Sequence, residues 1–164
     1  MWSAVKLVFL FVLATIVHWA FASIFSYWGL SVNMILAFAA AFCAVLKPAC
    51  GYPMAFLCGL FLDFFGTKLF GNNAFTFTVA ACVVYDLSGR FDFDAVPPQM
   101  VTVFGLTFLG GVLNSLLFWW FASTDMWPGF WSLLGGSVVT ALFAPVVFWA
   151  VRRVMGKCVL SRQV

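Results

Sequence analysis

Apolar positions along the chain gather into long unbroken runs separated by short clusters of turn formers, and nowhere do they alternate as in a half-buried strand. A helix crossing ~30 Å of hydrocarbon needs roughly 20 apolar residues. Six runs approach that length, at about 5–27, 31–47, 50–66, 73–88, 99–122 and 129–151, and the third and fourth read as short and interrupted. The breaks fall at Gly29 with Ser31, at Lys47-Pro48 through Gly51, and at 66–73, 88–98 and 123–129, where Gly, Pro, Asn, Asp and Ser collect. The expected fold class is all-α: one polytopic membrane domain over residues 1–164, with six transmembrane helices and a tail at 152–164.

Composition supplies the solvent. With 65% hydrophobic and 8% charged residues and a mean hydropathy of +1.11, the chain is too apolar for a domain folded in water. Hydrocarbon obliges every backbone N–H and C=O to pair within the protein, which leaves helices or closed barrels. Continuous runs, without the dyad alternation of a barrel strand, select helices.

Charge then sets a direction. Placing the N-terminus in the cytoplasm puts Lys6, Lys47, Arg90, Arg152, Arg153, Lys157 and Arg162 inside, seven of the eight basic residues, and leaves Lys68 outside. Both termini are therefore expected on the cytoplasmic side. Trp28, Trp119, Trp120, Trp127 and Trp131 fall near the outer interface, and Trp2 and Trp149 near the inner one. Lys6, the apolar run after it and Ala20-Phe21-Ala22 imitate a cleavable signal. The run continues through Trp28, which favours a first span. The net charge of +3 comes with no basic stripe, so no nucleic-acid partner is expected; membrane lipid is.

One acid stands within an oily run. Asp63 is flanked by Phe61, Leu62, Phe64 and Phe65, and a carboxylate at the centre of a lone spanning helix costs ~2.5–3.5 kcal/mol on insertion scales. Gly66, Gly71, Asn72 and Asn73 follow closely. Asp63 is expected to organise a re-entrant turn, by pairing with Lys68 or by capping the amides that open the fourth span; an ion or substrate site is the alternative. His18, deep in the first span, reads as a hydrogen-bonded packing residue. Asn114 and Ser115 can bond to a neighbouring helix. Asp86, Asp92 and Asp94 around Arg90 read as a solvated face.

Small residues mark close helix approaches, because lipid tails supply no hydrophobic drive between helices. Ala37 with Ala41 and Ala40 with Ala44 form two such pairs on the second span, and Gly110-Gly111 and Gly135-Gly136 serve the fifth and sixth. Packing within the bundle is expected for them ahead of contact with a partner. Cys43, Cys50, Cys58, Cys82 and Cys158 have no C-x-x-C or metal-ligand spacing and read as small packing residues. No catalytic triad, paired carboxylates, P-loop or H-E-x-x-H is present. No enzyme, no metal and no cofactor is expected.

At Gly59-Leu60-x-x-Asp63, followed by Gly71-x-Asn73-Ala74, the chain resembles the MreD family of bacterial rod-shape-determining membrane proteins. That family carries G-L-x-x-D-x-x-x-G-x-x-L-G-x-x-A-L between two short spans; here Thr67 stands at its first loop glycine, Phe70 and Phe75 at its leucines, and Gly66 and Lys68 depart from it locally. Pro98-Gln99 is similar to the family's entry to the fifth helix. The resemblance implies a fold similar to the substrate-binding subunits of energy-coupling-factor transporters and a place in the bacterial inner membrane. It also implies a scaffold role in cell elongation, positioning peptidoglycan synthesis through an MreC-like protein, with a RodA-like glycan polymerase, a class B penicillin-binding protein and an MreB-like filament in the same complex. A vitamin-binding transporter subunit is the alternative, although the first span has Ala14, Ala20 and Ala22 without the A-x-x-x-A face such a subunit uses for docking.

Overall fold

The structure is a computed structural model that describes residues 2–66, 70–91, 93–122 and 129–155. The described residues form six helices: α1 (Trp2–Ser26), α2 (Met34–Val45), α3 (Pro48–Gly66), α4 (Asn72–Ser88), α5 (Val96–Ala122) and α6 (Phe130–Met155). Within α1, α3, α5 and α6 lie stretches long and apolar enough to cross a membrane. α2, with 12 residues, and α4, with 17, are shorter. The all-helical expectation holds among the described residues; the short, interrupted third run does not, because α3 continues for 19 residues with Pro53 inside it.

α2 is the hub of the bundle and packs against each of the other five helices. Its sequence allows this. Asn33 caps its start, the side chain accepting the Leu36 N–H at 3.2 Å, and alanines dominate its middle, so neighbours approach closely from several sides. Every residue of α2 except Ala44 is buried. The helix stops at Leu46, whose extended backbone leads into Lys47 and Pro48; Lys47 is steered from the helical region by the proline after it, and Pro48 opens α3 at a position where no N–H is needed.

The 31–47 run is thus trimmed at its front, where 30–33 forms a connection in place of helix. That connection lies against α6, with the Ser31 N–H donating to the Ser132 carbonyl at 3.4 Å and the Ser132 hydroxyl to the Gly29 carbonyl at 2.5 Å. Gly136 makes the room: a Cβ there would lie 2.0 Å from the Ser31 oxygen. At Gly135 it would meet only the Leu30 side chain, at 2.5 Å. The glycine pair of α6 therefore receives a loop, where helix-to-helix packing was expected. Gly110 and Gly111 do pack helix to helix, facing Thr76 with Leu36 and Leu133 respectively, and Ala37 and Ala41 have no exposed surface.

α1 lies over α2 and α6 and reaches α3 through rings, Phe11 against Phe61 at 5.1 Å and Trp19 against Phe65 at 6.0 Å. The basic residues among the described set gather at one end of the bundle. Tyr85 donates to the Leu46 carbonyl at 3.2 Å, and Arg152 pairs with Asp94 at 2.6 Å. These contacts bring the α2–α3 connection to the end of α4, and the α4–α5 connection to the end of α6.

Candidate functional site

The α3–α4 pair is built on one face of α3. Gly51, Ala55, Gly59 and Asp63 recur at four-residue intervals and are all buried, so three small residues and one acid line a single helical stripe. A Cβ at Gly59 would lie 2.5 Å from the Asn73 oxygen and 2.6 Å from the Ala74 Cα. The two helix backbones meet there, and only glycine fits. At the other end of the stripe, Gly51 leaves space for the Tyr85 ring, whose hydroxyl would sit 1.7 Å from an added Cβ.

Asp63 follows Gly59 by one turn and so points at the start of α4. The first amides of a helix have no partner within it. The N-cap of α4 is Gly71, in the left-handed region at φ +91°, which has no side chain to satisfy them. Asp63 does that work from the neighbouring helix: its two carboxylate oxygens accept the backbone N–H of Asn73 and of Ala74, each at 3.0 Å, and Oδ1 also accepts the Asn73 side-chain amide at 3.1 Å. A carboxylate at a helix N-terminus is further favoured by the helix dipole. Of the two structural roles expected for Asp63, capping is the one seen; Lys68 and Thr67 lie outside the described residues.

A polar seam continues from this cap into α5. Asn72 donates its side-chain N–H to the side-chain oxygen of Asn114, and Thr76 lies one turn below Asn72 with its methyl group against Gly110. Both Asn72 and Thr76 are buried. Asn73 and Ala74 are buried as well, so the first turn of α4 enters the bundle as a block. Asp63, Asn72, Asn73 and Asn114 together tie three helices at one end, while the Thr76 hydroxyl is buried with no hydrogen-bond partner among the described residues.

Other candidates are dispersed. Ser115 bonds back to the Gly111 carbonyl of its own helix at 2.9 Å, and no contact to a neighbouring helix is made through that bond. His18 buries Nδ1 with no hydrogen-bond partner among the described residues, so the hydrogen bond expected at that atom is not seen. The acidic loop is drawn in two directions, Asp86 to Arg90 at 3.6 Å and Asp94 to Arg152; Asp92 lies outside the described residues. Cys43 and Cys58 are buried, in keeping with packing, whereas Cys50 and Cys82 are exposed. Among the described residues no three His, Cys, Asp or Glu side chains come together to hold a metal.

The Gly51–Tyr85 fit escaped the reading of residues, although the regular spacing of Gly51, Ala55 and Gly59 ahead of Asp63 was a signal for it. The bond from Asn114 to a neighbouring helix was expected and is seen; its partner, Asn72, was not foreseen.

No protein-family model matches the chain, and no curated protein and no solved structure matches it.

Proposed function

We propose that this chain is an MreD-like integral membrane scaffold of the bacterial cell-elongation machinery, non-enzymatic and resident in the inner membrane. One observation carries the proposal. The residues through which the sequence resembles that family, Gly59, Asp63, Asn73 and Ala74, meet in space as a single interlock of close backbone contact and carboxylate cap. An interlock of buried hydrogen bonds fixes the angle between two helices and presents no reactive group. That suits a part whose task is to hold a shape for other proteins.

In this reading all six helices cross the bilayer and both termini are cytoplasmic. α2 is short at ~18 Å, but the connection before it enters the bundle as far as Gly136. That residue lies six positions into α6, or ~9 Å along the axis. Connection and helix together approach the ~30 Å hydrocarbon thickness. Backbone without helix needs partners at such depth, and the exposed Ser31 finds one by donating its N–H to the Ser132 carbonyl of α6. The partner is an MreC-like protein, and an apolar groove of about 360 Å³ between α1 and α3, lined by Leu7, Phe11, Leu57 and Phe61 among others, suits its single membrane helix. A RodA-like polymerase, a class B penicillin-binding protein and an MreB-like filament complete the assembly. The same reading gives the chain the fold that the family resemblance implies, that of the substrate-binding subunits of energy-coupling-factor transporters.

Depletion in the native cell tests the proposal. Rods that round and swell, with recovery on re-expression of the wild-type chain, are expected. Unchanged cell shape with loss of uptake of a small solute overturns the scaffold in favour of a transport subunit.

A further inference from the structure

We infer that the cavity between the last turns of α6 and the α4–α5 connection binds the phosphate headgroup of an anionic membrane lipid. The cavity measures about 370 Å³ and is lined by Asp94 of the α4–α5 connection, Gln99 of α5, and Pro145, Trp149, Arg152 and Arg153 of α6, among others.

Its charges divide the work. Arg152 is turned inward: one guanidinium nitrogen meets Asp94 at 2.6 Å, and another donates to the Phe93 carbonyl. Gln99 donates to the same carbonyl at 2.6 Å. These contacts fix the floor and the rim of the cavity without a ligand. Arg153 is the next residue, is exposed, and makes no ion pair among the described residues. Two guanidinium groups against one carboxylate leave the lining with a single positive charge in excess, on the exposed Arg153. An arginine fork matches a phosphate oxygen pair.

The surroundings choose a lipid over a soluble anion. Val138, Leu142, Val146 and Trp149 are all exposed and recur at three- and four-residue steps, which makes one apolar stripe along α6 that ends at Arg153. From Val138 to Trp149 the stripe runs ~16 Å, about one leaflet of a ~30 Å hydrocarbon core. Acyl chains lie along it, and Trp149 sits where indole rings favour the membrane interface. The headgroup then falls on Arg153 and the outer side of Arg152. Basic pockets between helices at the cytoplasmic interface recognise anionic headgroups by the same chemistry.

Titration of the full-length protein in detergent with phosphatidylglycerol or phosphatidylethanolamine, read by native mass spectrometry, tests the site. Arg153→Gln is expected to weaken the first phosphatidylglycerol by about fivefold, the effect of one basic residue near a surface. Trp149→Ala is expected to weaken it too, while Arg90→Gln, which removes the same charge from the same end of the bundle, leaves it unchanged. Size-exclusion elution of each variant at the wild-type volume establishes that it is folded. Three results overturn the proposal: equal weakening by Arg90→Gln, which makes the attraction diffuse; equal affinity for phosphatidylethanolamine; or displacement of the lipid by millimolar inorganic phosphate, which makes the cavity a site for a soluble anion. None of these results bears on the role in cell elongation.

Discussion

Gly59 and Ala74 touch backbone to backbone: the space a Cβ on Gly59 would fill is already taken by the Cα of Ala74, 2.6 Å away. Backbone cannot rotate aside as a side chain can. Gly59→Ala is therefore expected to force α3 and α4 apart and destabilise the bundle by about 1–3 kcal/mol, the usual effect of overpacking. Gly105→Ala, on α5, is the matched control, since a Cβ there meets nothing within 4 Å. Helix propensity alone predicts a gain of up to about 1 kcal/mol for it. Thermal unfolding in detergent, followed by the loss of the monodisperse peak, checks both; equal melting of the two variants would refute the close contact.

Asp63→Asn keeps the size of the side chain and removes an acceptor. One oxygen remains for the Asn73 or the Ala74 amide, and the new NH2 group faces the other as donor against donor. A loss of about 1–3 kcal/mol follows from one buried amide left unsatisfied. Asp63→Ala strands both amides and is expected to lower folded yield further. Normal yield and melting of Asp63→Asn would show that the cap contributes nothing.

The two glycines of α6 separate by what they face. Gly136→Ala pushes against the Ser31 carbonyl, which is backbone, whereas Gly135→Ala pushes against the tip of Leu30, a side chain with other rotamers open to it. The first is expected to cost about 1–3 kcal/mol and the second less than about 1 kcal/mol. Melting temperatures measured side by side check the order. Reversal of that order would mean that the connection before α2 does not sit on α6.

Much of the bundle is legible before any coordinates, because hydrocarbon leaves few options. A long apolar run is driven towards helix because its backbone groups must pair within the protein, and Lys47-Pro48 has to end one helix and begin another. Asp63 is conspicuous for the same reason, since an acid among phenylalanines needs nearby donors and the start of the next helix has spare ones. What stays hidden depends on partners distant in the chain. Gly136 looks like a helix-packing glycine until Ser31 is placed beside it. Gly51 looks like a turn residue beside Pro48 until Tyr85, more than thirty positions later, needs its space. The length of α2 is hidden too, because the apolar run says where lipid or protein surrounds the chain and not whether the backbone there is coiled.

The central position of α2 also governs the order of events at the ribosome. Its faces are covered by helices from both ends of the chain, and the last of these, α6, begins at Phe130. Until that segment emerges, the middle of the molecule is a half-walled chamber, and the earlier helices wait in the membrane with one side unfinished. A transcript cut short before α6 would thus yield a product that quality-control proteases meet as incomplete, however many of its helices have already been inserted.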